Sequence, residues 1–276
     1  MTAPATWTPD RVYELATDVC EDCAWYHGFW PLIRALGFGT VPEDHAEFYC
    51  EGAREAVRAG SINRVLVCGA ADASMPLLMH RIFQSLGSSP EITVLDRCKT
   101  PLTLCRAAFG GEAISLKTLH SAVLDAQVTR PFDLIVTHSF LGYFSEGERQ
   151  ALLARWARWL RPRGRVLTVN RVRHTSAQFV GFSEAEAISF VERIVAGVNA
   201  KPRVTELSEA DLHRLARDYA KRFRIRPLTS IEDVVDQCRA AGLTAEIVPL
   251  GRVSRPGPSG PTAPGSADYF GFSLRR

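Results

Sequence analysis

A few residues of this 276-residue chain stand where side chains could do chemistry. Asp96 ends the apolar run Glu91-Ile-Thr-Val-Leu-Asp96, and a carboxylate at such a tip can accept both hydroxyl protons of a vicinal diol. His138 ends a second run, Phe132-Asp-Leu-Ile-Val-Thr-His138. With an unperturbed pKa of ~6.5, its imidazole suits proton acceptance or a neutral hydrogen bond. A third run, Arg64-Val-Leu-Val-Cys68, breaks at Gly69-Ala-Ala-Asp-Ala-Ser74. A pyrophosphate would need a second glycine there to let the backbone approach, but Ala71 and Ala73 fill the candidate positions, and no GxxxxGK[ST] exists. A nucleoside without a pyrophosphate fits both observations. Cys20 and Cys23 form one Cys-x-x-Cys. No second cysteine or histidine pair follows at zinc-ligand spacing, so the two are read as a buried helix face and no metal is expected. The seven cysteines are an odd set in a chain too long to need stapling, and they are read as reduced thiols.

These residues need elements to position them. Arg64–Cys68 reads as a strand followed by a helix over Met75–Leu86, and Glu91–Asp96 as a strand followed by a helix that Thr100-Pro101 starts. Ala113–Leu119 and Pro131–His138 are the third and fourth strands. Ser145–Leu160 is a helix with Leu152, Leu153, Trp156 and Leu160 on one face, stopped by Arg161-Pro-Arg-Gly164, and Arg165–Asn170 is the fifth strand. Strands alternating with helices require a parallel sheet covered on both faces. Ser230 and Asp233 open a further helix, which buries Ile231, Val234, Val235 and Cys238 and ends at Gly242. A strand over Leu243–Leu250, a flexible connection over 251–266 and an antiparallel return over Asp268–Arg275 close the chain. The ligand site of such a sheet lies beyond the carboxyl ends of its strands.

Composition agrees: 46% hydrophobic and 23% charged residues exclude extended disorder and permit a sizeable core. Residues 1–60 hold four Arg and ten Asp or Glu, a charge of −6 that leaves +9 elsewhere. The densest basic runs, Arg161–Arg173 and Lys221–Arg226, could face nucleic acid. Without a recognisable RNA-binding module they are read as solvated or domain-bridging faces. The start of the sequence shows no signal-peptide pattern, and no stretch approaches ~18 consecutive apolar residues, so a cytoplasmic protein without a membrane segment is expected.

With these motifs in this order, the chain resembles class I S-adenosylmethionine-dependent methyltransferases over residues ~60–170 and ~229–275. Val65-Leu-Val-Cys-Gly69-Ala-Ala71-Asp-Ala73 occupies the family's first motif, Ile92–Asp96 its second, Phe132–His138 its fourth, and Leu160-Arg-Pro-Arg-Gly-Arg-Val-Leu167 the one before the fifth strand. The first motif departs from the pattern: Val67 stands where an acidic residue is usual, and two glycines are alanines. The resemblance implies an α/β fold with a doubly wound, mostly parallel seven-stranded sheet. It divides the chain into a helical cap (1–60), an α/β core (61–170 and 229–276) and a helical insertion (171–228). S-adenosylmethionine is the implied cofactor, contacted by Gly69, Ala70, Ala71, Asp72, Asp96, Arg97, Ser121, Ala122, Val123 and His138. His138, Tyr143 and Asn170 are the implied catalytic residues, with Trp25, Tyr26, His27 and Phe140 lining the lid and acceptor pocket.

Methyl transfer to a small molecule is the leading expectation, with neither nucleic acid nor a membrane as partner and the oligomeric state left open. The azetidine-2-carboxylate synthases use the same fold to cyclise the aminopropyl arm of S-adenosylmethionine with release of methylthioadenosine, and they form the alternative. An RNA methyltransferase and a cofactor-binding protein without turnover are the lesser ones.

Overall fold

The apolar runs pair as their crossovers require. In the computed structural model, which describes residues 7–110, 115–255, 257 and 260–276, the strands are β1 (Arg64–Cys68), β2 (Glu91–Asp96), β3 (Leu116–His120), β4 (Phe132–His138) and β5 (Leu160–Val172). Two short strands, β6 (Val180–Gly181) and β7 (Arg224–Ile225), pair with each other, and β8 (Thr244–Gly251) and β9 (Asp268–Arg275) complete the main sheet. That sheet has seven strands in the order β3-β2-β1-β4-β5-β9-β8, parallel except around β9, which runs antiparallel to both neighbours. Ala113 and Ile114, placed in the third strand from sequence, lie outside the described residues.

Alternate residues of each strand feed opposite cores. Leu66 and Cys68 of β1 join Leu152, Trp156 and Cys238 on one face, whereas Val65 and Val67 join Tyr49, Met79 and Phe83 on the other. The helices are α1 (Pro9–Val19), α2 (Ala24–His27), α3 (Trp30–Leu36), α4 (Ala46–Ala59), α5 (Ser74–Ser85), α6 (Lys99–Phe109), α7 (Glu146–Trp159), α8 (Glu184–Ala200), α9 (Glu209–Arg222) and α10 (Ile231–Ala240). Serines cap the later ones: Ser145 and Ser183 form reciprocal capping boxes with Glu148 and Glu186, and Ser208 and Ser230 accept from the N–H groups of Asp211 and Asp233.

Three expectations change. Strand β5 begins at Leu160, which pairs with Phe132, so Arg161–Gly164 forms an irregularity inside the strand, with Arg163 at φ +67°, rather than a stop before it. Cys20 and Cys23 are not on a helix face, because α1 ends at Val19 and the pair flanks the turn into α2. The described end of the 251–266 connection is anchored: Arg173 donates to the carbonyls of Pro261 and Ser266, and Arg171 to those of Pro261 and Thr262. These two arginines of a basic run are therefore used inside the fold.

The two helical pieces flanking the core in sequence form one body. Phe29, Leu32 and Ile33 pack with Phe190, Ile194, Leu212 and Tyr219 in a third hydrophobic cluster. Tyr219 is its hub, fully buried and in ring contact with Trp25, Tyr26, Phe29, Phe190 and Phe223. We expect Tyr219→Ala to cost about 3 to 5 kcal/mol in urea unfolding, the usual range for an aromatic removed from a packed core. Limited proteolysis of this variant should open residues 7–36 and 184–222 together, and cleavage of only one piece would show that they are separate bodies.

Candidate active site

Among the described residues, polar links between the helical body and the sheet gather at the carboxyl ends of strands. Arg34 and the Trp30 indole N–H both donate to Asp72 after β1, at 2.8 and 3.0 Å. The hydroxyls of Tyr26 and Tyr143 meet at 3.4 Å after β4, and the Arg226 N–H donates to the Gly142 carbonyl at 2.8 Å. The sequence-derived candidates sit at these same strand ends.

At the switch point, one oxygen of Asp96 accepts the Ala70 N–H at 2.8 Å and the other accepts the Cys98 N–H at 2.7 Å. Each carboxylate oxygen has two lone-pair sites, so acceptor capacity remains for a diol. Burial pushes the carboxyl pKa up, opposed by those two N–H donors and by His27 and Arg97. Gly69 has φ +76°, where a side chain is strained, and a Cβ there would collide with the ring of Phe140. Asp72 is the N-terminal anchor of α5: it accepts the Ser74 N–H at 2.8 Å besides its bonds to Arg34 and Trp30. Ser121 donates its N–H to the Asp96 carbonyl, Ala122 follows it, and Val123 is buried in the core. Arg97 is largely exposed and pairs loosely with Asp22 at 3.7 Å.

At the tip of β4, His138 stacks on His45 with ring centres 5.5 Å apart, and His45 in turn lies 4.7 Å from Tyr269. Burial, with His45 and Arg171 nearby, holds His138 well below the ordinary imidazole range, so it is neutral at cellular pH. Ser139 follows at φ +52°, a conformation few non-glycine residues adopt. His45 Nε2, His138 Nε2, Ser139 Oγ and Thr262 Oγ1 are all buried without a hydrogen-bond partner. Tyr143 is 44% exposed. Asn170 is buried, and both polar atoms of its amide have a partner, the oxygen accepting from the Leu141 N–H and the nitrogen donating to Thr168. It shapes the loop after β4 and presents no free polar atom.

Sequence reasoning missed His45, Arg171, Tyr269 and Arg34. Tyr269 donates to Thr40 at 2.7 Å and accepts from Arg171 across the antiparallel β5–β9 pair, a contact between residues too distant in sequence for spacing to reveal. It also missed a meeting of side chains. Cys20, Cys23, His27 and Cys98 bring their ligand atoms within 4.8 Å of one another, and Cys98 comes from the loop after β2. Trp25 and Tyr26 pack in the helical body, and Phe140 lies against Gly69 beneath it. A cavity of about 370 Å³ is lined by Arg173, Glu186, Pro261 and Ser266, and neither Gly69 nor Asp96 lines it.

Residues 68–168 match the family described as a methyltransferase domain. No curated protein sequence matches the chain significantly. Among solved structures, the S-adenosylmethionine-dependent methyltransferase SibL in its apo form is similar at TM-score 0.52 and 18% identity, over 96% of this chain and 62% of that one. A S-adenosylmethionine-dependent methyltransferase from Clostridium acetobutylicum reaches TM-score 0.56 at 11% identity, over 90% of this chain and 96% of its own. The Burkholderia thailandensis 1,6-didemethyltoxoflavin-N1-methyltransferase, with bound 1,6-didemethyltoxoflavin and S-adenosylhomocysteine, gives TM-score 0.56 at 14% identity, over 100% and 93%. The chain thus spans under two thirds of SibL's length, and at these identities the likeness is one of fold. Among the described residues no helix is long and apolar enough to cross a membrane. The match to a methyltransferase domain thus spans the strand ends at Gly69, Asp96 and His138, and the solved structures it resembles share its fold.

Proposed function

We propose that the protein methylates a small molecule beneath the helical body, with His138 as the proton acceptor or polar contact for the acceptor. The observation that carries this reading is the set of three buried, unpartnered polar atoms around the tip of β4, on His45, His138 and Ser139. Buried polar groups without partners are costly, and their gathering at a strand end marks a place where a polar ligand would satisfy them. The Gly69 turn and the free acceptor capacity of Asp96 fit the nucleoside half of S-adenosylmethionine, and Arg34, beside the first loop, is the cation within reach of its carboxylate. When bound, that cofactor supplies a methyl group on a sulfonium. The protein's own residues have to orient the acceptor, exclude water and take up a proton where the nucleophile carries one. The helical body serves as the lid, because its polar links to the sheet gather over the strand ends.

The discriminating experiment is mass spectrometry of the nucleoside products after incubation with S-adenosylmethionine, with and without a metabolite extract. S-adenosylhomocysteine formed only with the extract is the expected outcome. Methylthioadenosine formed from the cofactor alone would overturn the reading in favour of cyclisation of the aminopropyl arm.

Asp96→Ala should weaken S-adenosylmethionine binding by ~1.5 to 3 kcal/mol, roughly ten- to a hundredfold in Kd by calorimetry, since charge-assisted hydrogen bonds to the ribose are lost. An unchanged Kd in a folded variant would remove the ribose assignment.

His138→Ala should keep cofactor affinity and lose at least ~10²-fold in turnover, the scale of a positioned general base. A base works in its neutral form, and the His138 pKa lies below the ordinary ~6.5 because burial disfavours the imidazolium. The rate should therefore hold as pH falls through 6.5 and drop only in more acid solution, with that acid limb absent in the variant. An acid limb at or above pH ~6.5 would assign the titration to another group.

A further inference from the structure

One group of reactive side chains stands apart from the proposed methyl-transfer chemistry, and it takes in His27, which the sequence places with the acceptor pocket. Cys20 closes α1, Cys23 and His27 stand at the two ends of α2, and Cys98 precedes α6, two residues past Asp96. Their three sulfurs and one ring nitrogen all lie within 4.8 Å of one another, with Cys23 and Cys98 Sγ atoms 2.8 Å apart and Cys20 Sγ 3.8 Å from His27 Nδ1. Tetrahedral zinc with three sulfurs at ~2.3 Å and a nitrogen at ~2.0 Å sets its ligand atoms roughly 3.5 to 3.8 Å from one another, so shifts of about an ångström per side chain would complete the geometry. A disulfide between Cys23 and Cys98 would instead need a sulfur separation of ~2.05 Å.

We propose that Cys20, Cys23, His27 and Cys98 form a Zn²⁺ site that clamps the helical body to the carboxyl end of β2.

Three thiolates and a neutral imidazole are the donor set that soft, tetrahedral coordination selects. Cys23, His27 and Cys98 are each no more than 7% exposed, so once deprotonated they need a cation as partner. A zinc ion with three thiolates carries one net negative charge, and the guanidinium of Arg97 beside Cys98 opposes it. The fully buried Thr100 hydroxyl, 3.0 Å from Cys20 Sγ, is placed to donate to that sulfur, as outer-shell partners of metal ligands do. Four protein donors leave no position for water, which makes the site structural and not hydrolytic. Its consequence for the active site is positional: the backbone N–H of Cys98 is one of the two that hold Asp96, so the metal fixes a loop on which the switch point depends. The site rests on none of the methyl-transfer chemistry.

The test uses the full chain, reduced, stripped with a chelator and dialysed against ZnCl₂. Plasma mass spectrometry should find about one zinc per chain, with the release of thiol protons that such binding entails. Zinc should raise the thermal midpoint, because it binds only the folded arrangement. Co²⁺ in its place should show the thiolate charge-transfer absorption of a three-sulfur tetrahedral site, a readout on the unsubstituted chain that does not depend on any variant folding. Cys23→Ser and Cys98→Ser should each hold less than a tenth of the zinc under the same dialysis, whereas Cys238→Ser, which alters a buried cysteine elsewhere, should hold it all. The proposal is overturned if the reduced chain retains no zinc and its thermal midpoint ignores the metal. It is equally overturned if peptide mapping of the unreduced protein recovers Cys23 joined to Cys98 with no metal present.

Discussion

Strands β1 and β2 end side by side, and the loops leaving them must be held together before any ligand can lie across both. Asp96 does this with two backbone hydrogen bonds, to Ala70 in the first loop and Cys98 in the second. A charged acceptor makes such bonds stronger than neutral ones, and partial burial removes the water that would compete. The Ser121 N–H on the Asp96 carbonyl adds the end of β3 to the same point. Three successive strand ends are thereby tied through one residue, whose carboxylate keeps lone-pair sites beyond its two backbone bonds.

The helical body has the opposite character. Its interior is a stack of aromatic and aliphatic side chains around Tyr219, with burial and edge contacts that favour one arrangement. Its links to the sheet include Arg34 to Asp72, Tyr26 to Tyr143, Arg226 to Gly142 and the contacts of Cys20 and Cys23 with Thr100 and Cys98, and the first pair is partly exposed. The seam between the two bodies therefore lies at the strand ends. Phe140, pressed against Gly69, lies on the sheet side of the seam.

Much of this was legible in the sequence because the signals were local. The runs at Val65, Ile92 and Leu134 are too apolar for anything but strands buried on both faces, and Ser230 announces its helix by capping. What stayed hidden depends on contacts between distant segments. His45 reaches His138 only because α4 lies across the sheet, and Arg171 turns inward only because the loop at Pro261 offers carbonyls. Cys20 and Cys23 were judged by the spacing of neighbours in sequence, yet their further partner Cys98 is brought up by the β1–β2 pairing 75 residues later. Ligand sets assembled by a fold carry no sequence period.

The charge division of the chain and its altered first motif have a common account. Residues 1–60 are acidic and the remainder basic, and the two halves meet as ion pairs: Glu55 with Arg165 at 2.6 Å, Asp44 with Arg255, Glu43 with Arg81 at 3.8 Å. Arg34 runs against this pattern, a cation in the acidic half that crosses to Asp72 in the first motif. A glycine-rich loop is shaped by its own backbone freedom; here Ala71 and Ala73 flank an aspartate whose oxygens are taken by Arg34, Trp30 and the Ser74 N–H. The loop is thus held by side chains from the helical body, and its conformation is set jointly by the sheet that carries it and by that body. Loss of two glycines is tolerable on that basis, because the turn at Gly69 keeps the one backbone conformation only glycine adopts freely while Asp72 fixes the rest.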